Sequence, residues 1–402
     1  MKVVEINSTI KGSTGGIMLR IAENVRAAGD EVYTFSEIRK GVEAPLGHSF
    51  FGCRLENLAH RAYSVLTGIS GTGSRRGTKK LLQALDNIKP DIIHLHNLHG
   101  WYINIPMLFD YIRQNQIKTV WTLHDCWAFT AQCSHFTMEK CEKWKTGCYD
   151  CPRYRKYPYT LVDRTDRMWP LKKRWFSGIK NLTIVTPSKW LADLVAQSFL
   201  KDYDVKVINN GIDLEIFKPT PSNFREKHGL QNKKIILGAS TSWGYAKGLD
   251  TFASLAKILP DEYKIVLVGT TDKIDKDLPK NILSIHRTDS PRELAEIYTA
   301  ADVFVNPTRE DTFPTVNIEA IACGLGVVTF CTGGSPESVT DETGIVVEYN
   351  NLEELEKAVI LACQSDRLNK VECIENAQQY SAKEKFVEYV RLFKKIMRKE
   401  NS

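Results

Sequence analysis

The most telling segment of this chain reads Ala301-Asp-Val-Phe-Val-Asn-Pro-Thr-Arg-Glu-Asp-Thr-Phe-Pro-Thr-Val-Asn-Ile-Glu-Ala-Ile-Ala-Cys-Gly324. Its largely apolar beginning predicts a buried strand, and the small residues after Pro314 predict a helix that ends at Gly324. Free N–H groups at a helix N-terminus attract phosphate oxygens. Asp311 precedes this helix and Glu319 lies on it. Two carboxylates beside an anion site suit a nucleotide-sugar; the alternative is an ordinary strand–loop–helix unit with solvated acids.

Strands and helices alternate along the rest of the chain in two series, and this alternation predicts two Rossmann-like domains with parallel, doubly wound sheets. The strands predicted in the first series are Lys2–Ile6, Glu31–Phe35, Asp91–His96, Thr119–His124, Asn181–Thr186 and Val205–Ile208. Those predicted in the second series are Lys234–Ala239, Lys264–Gly269, Ile282–His286, Asp302–Asn306, Val327–Phe330 and Ile345–Glu348. A Gly-rich turn at 11–16 is expected to precede a helix over Ile17–Ala28. Ser290-Pro-Arg-Glu293 is a capping box that opens another helix.

Breaks in this pattern set the expected domain boundaries. Two prolines and small polar residues between Phe217 and Ser222 mark the linker. We therefore expect a first domain over 1–218, which contains a Cys-rich insert at 126–151, and a second domain over 219–380. The last segment, 381–402, reads as an amphipathic helix.

Composition limits the classes of function. The chain has 402 residues, of which 43% are hydrophobic and 25% charged, which is typical of a soluble globular protein. The net charge of +6 is too small to indicate nucleic-acid binding by itself. No apolar run approaches the ~18 residues that span a bilayer. Glu5 stands where a signal peptide would be apolar, so we expect a cytoplasmic protein, either free or at the inner face of the membrane.

Polar residues that follow strands are the candidate site residues, because ligands of open α/β sheets bind at the carboxyl ends of the strands. In the first series these are the glycines 12, 15 and 16, and the pair His124-Asp125. The neighbouring His94, His96 and His99 are further candidates. The alternatives are a tight turn and structural histidines. His-x-His could also bind a metal, but we expect no acidic residue to complete such a site.

The second series offers a basic residue and a glycine turn. Lys247-Gly248 follows its first strand, and a lysine there can neutralise phosphate. Thr332-Gly-Gly-Ser-Pro-Glu337 is a Gly-rich turn close to the acid motif. Asn209-Asn-Gly-Ile-Asp213, followed by Phe217 and Pro219, marks a sharp turn between the two series.

These motifs, in this order, resemble the GT-B-fold, retaining glycosyltransferases of family 4, and the pattern Glu-Asp-x-x-Pro-x-x-x-x-Glu resembles a subgroup that builds bacterial surface polysaccharides. The resemblance implies two domains with a cleft between them and a terminal helix that returns to the first domain. It also implies transfer of a sugar from a UDP- or GDP-sugar to a saccharide or lipid-linked saccharide, with no cofactor needed for catalysis. The residues it assigns to catalysis are His124, Glu310 and Asp311. The residues it assigns to donor binding are Gly15, Gly16, Lys247, Thr312, Phe313, Pro314, Glu319 and Gly334.

The Cys-rich insert is a separate signal. Five of the ten cysteines lie between Cys126 and Cys151. Four of them, Cys133, Cys141, Cys148 and Cys151, could hold a tetrahedral structural zinc ion and so fold a loop that lacks a core of its own. The alternatives are free core thiols and a redox-labile pair.

Two other functions are compatible with the sequence. One is a nucleotide-sugar epimerase on the same fold, and the other is a nucleic-acid-binding protein built on the zinc and aromatic insert. The segment Arg164–Phe176 mixes basic and aromatic residues. It predicts either peripheral contact with an anionic membrane or a solvated basic helix with one buried aromatic face.

Overall fold

The computed structural model describes residues 1–38, 41–364 and 368–398. The chain forms two compact α/β units, and it leaves the first at Asn209 and returns to it from Phe386 onward. The second unit spans Asn210–Lys385. Each unit is built on one parallel sheet, as the alternating pattern predicts.

The first unit contains a seven-stranded sheet in the order β3-β2-β1-β4-β5-β6-β7. Its strands are β1 (Lys2–Ile6), β2 (Glu31–Glu37), β3 (His48–Phe51), β4 (Ile92–Leu95), β5 (Lys118–Thr122), β6 (Leu182–Thr186) and β7 (Asp204–Val207). Its helices are α1 (Gly12–Ala27), α2 (Arg54–Thr67), α3 (Arg75–Ile88), α4 (Ile105–Asn115), α5 (Thr165–Phe176) and α6 (Lys189–Val195). β1, β4 and β5 are central, so the loops that follow them share one edge of the sheet.

The second unit contains a six-stranded sheet in the order β10-β9-β8-β11-β12-β13. Its strands are β8 (Lys234–Ala239), β9 (Tyr263–Val268), β10 (Ile282–Ile285), β11 (Val303–Asn306), β12 (Val327–Phe330) and β13 (Gly344–Val347). Its helices are α7 (Phe224–Lys227), α8 (Leu249–Ile258), α9 (Asp272–Asp275), α10 (Pro291–Ala300), α11 (Thr315–Ala322), α12 (Leu352–Gln364) and α13 (Lys370–Ala377). A final helix, α14 (Ala382–Arg398), begins in this unit and ends in the first.

All twelve predicted strands are present, with ends that differ by one or two residues. The predicted N-cap is also confirmed, because the Ser290 hydroxyl accepts a hydrogen bond from the Glu293 N–H at 3.2 Å; the Glu293 carboxylate accepts from the Asp289 N–H at 2.6 Å, one residue before the position that a capping box uses. Two expectations are wrong. The glycines expected in a turn at 11–16 lie in the first turns of α1, which begins at Gly12. The short edge strand β3 was missed because its four residues, His48-Ser-Phe-Phe51, are too few to show a period.

The predicted sharp turn at Asn209–Asp213 and the start of α14 lie against each other. The Ile212 N–H donates to the Tyr380 carbonyl at 2.9 Å, and the Ala382 N–H donates to the Ile212 carbonyl at 2.8 Å. A Cβ on Gly211 would stand 2.7 Å from the Ala382 Cα, which explains the glycine of the predicted sharp turn. The predicted terminal helix is therefore α14; residues 399–402 of that prediction lie outside the described residues.

Helix α5 bears on the two interpretations of the segment Arg164–Phe176. It buries Met168, Trp169, Trp175 and Phe176, so its aromatic face packs into the core of the first unit. The buried aromatic face is confirmed, and contact of the exposed basic residues with a membrane stays a prediction. In the described part of the chain, no helix combines the length and the apolar character that crossing a membrane requires.

Candidate functional site

In the second unit, an ion pair joins the loop after β11 to the turn after β8. The Lys247 ammonium lies 2.6 Å from a carboxylate oxygen of Asp311. Lys247 closes a 3-10 turn, Tyr245–Lys247, and also reaches the Glu310 carbonyl at 3.4 Å. Both side chains of the pair remain partly exposed. The lysine and acid predicted to act on one ligand therefore meet in space.

Arg309 holds the Lys247 turn in place. Its buried guanidinium donates to both carboxylate oxygens of Asp250, at 2.7 and 2.9 Å, and to the Asn350 side chain. It lies 4.0 Å from the Tyr245 ring, and the Arg309 N–H donates to the Ala246 carbonyl at 2.8 Å. A planar guanidinium can make these contacts together, whereas a lysine cannot. These contacts occupy the buried Arg309 guanidinium.

Two glycine loops approach the backbone of the acid loop too closely for any side chain. A Cβ on Gly333, whose φ is +57°, would stand 1.9 Å from the Asp311 carbonyl oxygen. The next N–H, that of Gly334, donates to the same oxygen at 3.2 Å. On the other side, a Cβ on Gly248 would stand 2.4 Å from the Pro307 carbonyl oxygen. These glycines fix the loop that carries Asp311.

A buried polar network holds α11 against the sheet. Asn317 accepts a hydrogen bond from Asn306 at 2.7 Å and donates to Ser335 and Ser338. Thr329 donates to the Asn306 carbonyl at 2.9 Å. Because these buried polar groups are paired, the network fixes the N-terminus of α11 beside the acid loop.

Glu319 lies on α11 and is half-buried. Burial raises the pKa of its carboxyl to about 7, and hydrogen bonds with Thr315 and Tyr298 oppose this shift. The Tyr298 hydroxyl lies 3.3 Å from the carboxylate. A carboxyl in this state can accept hydrogen bonds from ligand hydroxyls, and such bonds would favour its ionised form.

The other predicted residues of the acid loop lie mainly inside the fold. Glu310 and Thr312 are buried, and the Phe313 ring is in the core, 5.7 Å from the Tyr380 ring. Pro314 is the residue that caps α11. A ligand at this loop would therefore meet the backbone of these residues more than their side chains, and Asp311 is the better exposed of the two adjacent acids.

In the first unit, the two predicted glycines differ in their surroundings. A Cβ on Gly15 would stand 2.3 Å from the Ile10 carbonyl carbon, so this glycine lets the loop after β1 close over α1. A Cβ on Gly16 would have no atom within 4 Å. Packing therefore requires a glycine at Gly15, whereas a side chain in place of Gly16 would extend into open space.

A buried acid–imidazole chain leads to His124. Glu5 on β1 lies 2.8 Å from His96 Nε2, and His96 Nδ1 lies 3.0 Å from His124 Nε2. His94 Nδ1 lies 2.9 Å from the same Glu5 oxygen. Burial lowers the pKa of His94 and His96 to about 3 and of His124 to about 4, and burial raises the pKa of Glu5. The imidazoles are therefore neutral at pH 7.

Glu5 also corrects the expectation that no acid completes the His-x-His pair. In the described residues, one set of three potential ligand atoms lies within 4.8 Å of one another, and it consists of Glu5, His94 and His96. The register of the sheet causes this, because Glu5 and His94 are paired residues of β1 and β4. The hydrogen bond between His96 Nε2 and the Glu5 carboxylate gives the acid a role that needs no metal ion.

Asp125 follows His124 in the chain and is linked through His99 to the Tyr157 hydroxyl. His99 Nε2 lies 3.0 Å from the Asp125 carboxylate, and His99 Nδ1 lies 2.9 Å from the Tyr157 hydroxyl. Burial acts to raise the Asp125 pKa, but the His99 imidazole outweighs it and the pKa falls to about 2. Asp125 is therefore a fixed negative charge beside His124.

The Cys-rich insert contributes an aromatic cluster to the core of the first unit, so it is packed without a separate core of its own. Trp144 is buried and packs on Phe136 and Phe129, with ring centroids 5.0 and 5.2 Å away. The four candidate zinc ligands are free thiols that are partly buried. They are not part of a set of three ligand atoms within 4.8 Å in the described residues. Zinc binding remains a prediction.

Two of these thiols interact directly. A hydrogen bond between Cys133 and Cys151 raises the pKa of Cys133 and lowers that of Cys151 to about 7. Burial raises the pKa of Cys148 to about 11. The buried Lys172 of α5 donates to the Trp127 carbonyl and lies 3.4 Å from the Trp127 ring centre. Burial lowers the pKa of Lys172 well below its ordinary value, and the neighbouring Asp125, Cys133 and Cys148 oppose this shift.

Comparison with known proteins decides the family. A profile of the glycosyl transferases group 1 matches residues 222–380, and a profile of glycosyltransferase family 4 matches residues 17–216. The chain belongs to the group 1 glycosyltransferases.

Individual relatives agree with this assignment. The Escherichia coli (strain K12) protein named putative colanic acid biosynthesis glycosyl transferase WcaC is 26% identical over 275 residues, which is 66% of each chain. Sucrose-phosphate synthase from Thermosynechococcus elongatus has a TM-score of 0.72 at 16% identity and covers 98% of this chain and 99% of its own. Anabaena HepE in complex with UDP-glucose has a TM-score of 0.67 at 15% identity, and the match covers 97% of this chain and 99% of the HepE chain. The structural likenesses establish the GT-B fold.

The curated relatives that this glycosyltransferase matches are only partly covered by the alignments. The first three alignments span 66%, 45% and 42% of the relatives' own lengths.

Sequence reasoning missed two residues that organise the site of this glycosyltransferase. Glu5 is a charged residue inside an apolar strand. Its position on a strand that neighbours the His-x-His strand could have indicated its contact with the histidines. Arg309 stands in the acid motif itself, but its partners Asp250 and Asn350 are distant in sequence. No local pattern could have indicated those contacts.

Proposed function

We propose that this glycosyltransferase moves a sugar from a UDP- or GDP-sugar to a saccharide or lipid-linked saccharide acceptor, with retention of the anomeric configuration. The acceptor would belong to exopolysaccharide, capsule or lipopolysaccharide synthesis. The observation that carries the proposal is the Lys247–Asp311 pair at 2.6 Å, in a loop that opens α11 and is followed on that helix by Glu319.

This arrangement is suited to a diphosphate ester. Lys247 would exchange its contact with Asp311 for a phosphate oxygen, and the N–H groups that open α11 would bind another. As the bond to the sugar breaks, negative charge grows on the leaving diphosphate. Donors already aimed at that charge lower the barrier. Glu319 would accept hydrogen bonds from the ribose hydroxyls.

Two relatives support the substrate classes. HepE binds UDP-glucose on a similar fold. WcaC carries a name from the synthesis of colanic acid.

In the first unit, His124 is proposed to contact the transferred sugar. It is neutral at pH 7 because burial lowers its pKa to about 4. Its hydrogen bond to His96, which in turn bonds to Glu5, fixes the orientation of the ring. A neutral imidazole held in this way can exchange hydrogen bonds with sugar hydroxyls without adding charge.

Calorimetry with UDP- and GDP-sugars tests the donor site. Lys247→Met should weaken donor binding about tenfold or more, since a charge-assisted contact to phosphate is lost. The matched control is Lys257→Met, which removes an exposed lysine of α8 in the same unit. Equal donor affinity in the two variants would refute the role of Lys247.

The reaction itself is tested by NMR of the product, which should keep the anomeric configuration of the donor. His124→Ala should lower transfer far more than stability. An isomerised sugar nucleotide, formed from donor alone, would instead favour an epimerase.

A further inference from the structure

Tyr157 is oriented in the reverse of the way that is usual for a tyrosine on a protein surface. Tyrosine side chains commonly bury the ring and keep the hydroxyl in water. Tyr157 is 54% exposed, yet its hydroxyl lies 2.9 Å from His99 Nδ1 and so points toward the protein. Because the polar end of the ring is already held, a ligand that stacks on the ring would not have to order this side chain first.

His99 links this tyrosine to the carboxylate that follows His124 in the chain. The Asp125 carboxylate, whose pKa is about 2, is ionised and can only accept hydrogen bonds. The hydrogen bond of 3.0 Å between His99 Nε2 and Asp125 therefore places a hydrogen on Nε2. In a neutral imidazole the other nitrogen, Nδ1, is then an acceptor, so the Tyr157 hydroxyl donates to it. The orientation of Tyr157 is thus fixed by the same loop that carries His124.

Trp101, a partly exposed aromatic residue beside Tyr157, has a strained backbone. Its φ is +65°, in the left-handed region that a bulky residue seldom adopts. Contacts on both sides hold the loop: the Ser74 hydroxyl lies 2.8 Å from the Trp101 carbonyl oxygen, and the Asn104 N–H donates to the Thr78 hydroxyl at 2.7 Å. Strain that the surrounding structure maintains is concentrated at functional sites. A glycine would adopt this conformation without strain, so a tryptophan here indicates a use for its ring.

The rings of Trp101 and Tyr157 meet nearly at a right angle. Their centroids are 6.3 Å apart, and their planes cross at 81°. We name these two residues together the aromatic corner. The chain of hydrogen bonds through His99 and Asp125 leads from the aromatic corner toward His124. Aromatic ring surface and polar groups therefore converge at the loops that follow β4 and β5, the edge of the sheet where ligands bind.

This combination of groups fits a sugar ring. The face of a sugar ring carries C–H groups, which pack on the electron-rich face of an aromatic ring, and its rim carries hydroxyl groups, which need donors and acceptors. Beside the aromatic corner, Asp125 supplies an acceptor, and the Arg61 guanidinium, 5.3 Å from the Trp101 ring centre, supplies donors. A nucleobase would also stack, but the donor nucleotide has its proposed site in the second unit.

We propose that the aromatic corner binds a neutral sugar ring of the acceptor saccharide. The sugar would stack on Tyr157 and Trp101, and its hydroxyl groups would then face the loop that carries His124. This inference rests on the proposed function, since it concerns the acceptor of that reaction. It adds the kind of recognition, which is stacking on an uncharged ring.

Saturation-transfer NMR on the full chain, without any nucleotide-sugar, tests the proposal. The probes are the methyl glycosides of glucose, galactose, mannose and N-acetylglucosamine. We expect saturable binding of at least one of them, with the strongest transfer to the C–H protons on one face of its ring. Failed donor binding together with saccharide binding at the aromatic corner would contradict the proposed function alone. Intact donor binding without saccharide binding would contradict the aromatic corner alone.

Substitutions of Tyr157 separate the ring from its hydroxyl. Tyr157→Ala should weaken binding of the probe sugar about tenfold, because the stacking surface is lost. Tyr157→Phe keeps the ring and loses only the hydrogen bond to His99, so its affinity should lie between those of wild type and Tyr157→Ala. The matched control is Tyr149→Ala, which removes another tyrosine that is 54% exposed, in the Cys-rich insert, and should bind as wild type does.

Trp101→Gly separates recognition from packing. Glycine adopts a φ of +65° without strain, so this variant should melt at the same temperature as wild type or at a higher one. Its binding of the probe sugar should nevertheless be about tenfold weaker. A lower melting temperature with unchanged sugar binding would show that Trp101 only packs, and would remove it from the aromatic corner.

Three results would overturn the proposal. One is wild-type protein that shows no saturable binding of any of the four glycosides. Another is Tyr157→Ala protein that binds as well as the Tyr149→Ala control, with a native melting curve. The third is Tyr157→Phe protein that binds as weakly as Tyr157→Ala, which would assign the contact to the hydroxyl group and not to the ring.

Discussion

At the scale of single residues, Glu319 is a site residue whose protonation state changes near neutral pH. Burial raises its pKa to about 7, so about half of the molecules without donor carry a neutral carboxyl at that pH. The pKa of the Glu319 carboxyl is higher in the folded protein than in the unfolded chain. The stability that this group contributes is therefore fully present below the unfolded pKa of 4.5 and is lost as pH rises through about 7.

We predict that donor affinity rises as pH increases through 7. The ionised carboxylate is the better acceptor for ribose hydroxyls, so binding should be about tenfold tighter at pH 8 than at pH 6. Calorimetry at several pH values with one nucleotide-sugar measures this. In Glu319→Gln the affinity should be lower and nearly independent of pH. A wild-type affinity that is flat over this range would show that the carboxylate does not bind the donor.

Glu5 shows what residue-scale reasoning from sequence could and could not reach. The histidines at the strand ends were identified from the sequence alone, because a strand followed by polar residues is a local pattern. Their hydrogen-bonded acid comes from β1, and it meets them only because β1 and β4 are neighbours in register. Pairing between distant strands is a property of the folded sheet, so the local sequence did not indicate it.

At the scale of secondary-structure elements, helix α1 contains two adjacent glycines, one that packing requires and one that packing does not explain. Gly15 is required by the close approach of Ile10, whose carbonyl carbon lies 2.3 Å from the position that a Cβ would occupy, whereas Gly16 faces open space. A glycine with no steric reason, in the first turns of a helix that follows the central strand β1, is a candidate for ligand approach.

We predict opposite outcomes for Gly15→Ala and Gly16→Ala. Gly15→Ala should destabilise the first unit by about 1–3 kcal/mol, because the added methyl group overpacks against backbone. Gly16→Ala should be neutral or stabilise the helix by about 0.5–1 kcal/mol, yet it should weaken substrate binding if a ligand approaches there. Chemical denaturation and donor titration measure the two effects. A Gly16→Ala enzyme with wild-type kinetics would leave Gly16 without a role in binding.

The Cys-rich insert is an element with an aromatic cluster in the core of the first unit. Its burial of Trp144 removes the argument that it needs a metal ion to fold. The argument that remains is chemical. Four thiols lie in one loop, two of them share a hydrogen bond, and the buried amine of Lys172 interacts with two of them, Cys133 and Cys148. Four thiolates and Zn²⁺ would carry a net negative charge, which Lys172 would reduce.

We predict about one structural zinc ion per chain, held by Cys133, Cys141, Cys148 and Cys151. Elemental analysis of purified protein measures it. Cys148→Ser should lower the zinc content and the melting temperature, whereas Cys53→Ser, an exposed cysteine outside the insert, should change neither. Chelation should loosen the insert without affecting donor affinity. Metal-free protein with unaltered stability would instead leave these residues as free thiols packed by aromatic side chains.

At the scale of the whole molecule, the chain leaves the first unit at Asn209 and returns to it at Phe386. The two parallel sheets were predictable because each β–α repeat has its own hydrophobic period. The stability of the first unit, however, depends on residues at the far end of the sequence. Phe393 and Tyr389 of α14 pack on His94, with ring centroids 5.4 and 5.3 Å away. The amphipathic period of the terminal helix predicts a buried face but not its partner.

We predict that Phe393→Ala destabilises the first unit by about 3–5 kcal/mol, because a fully buried ring is removed next to the Glu5–His96–His124 chain. The second unit contains Lys247, Asp311 and Glu319, so donor affinity should be nearly unchanged at temperatures where both units are folded. Denaturation followed by hydrogen exchange distinguishes the units, since only amides of the first should lose protection. Val371→Ala, a change at a side chain that is 58% exposed in the second unit, is the control for a hydrophobic truncation without a cavity. If Phe393→Ala weakened donor binding as much as it weakened the first unit, donor affinity would depend on α14, and the assignment of most of the donor affinity to Lys247, Asp311 and Glu319 would be wrong.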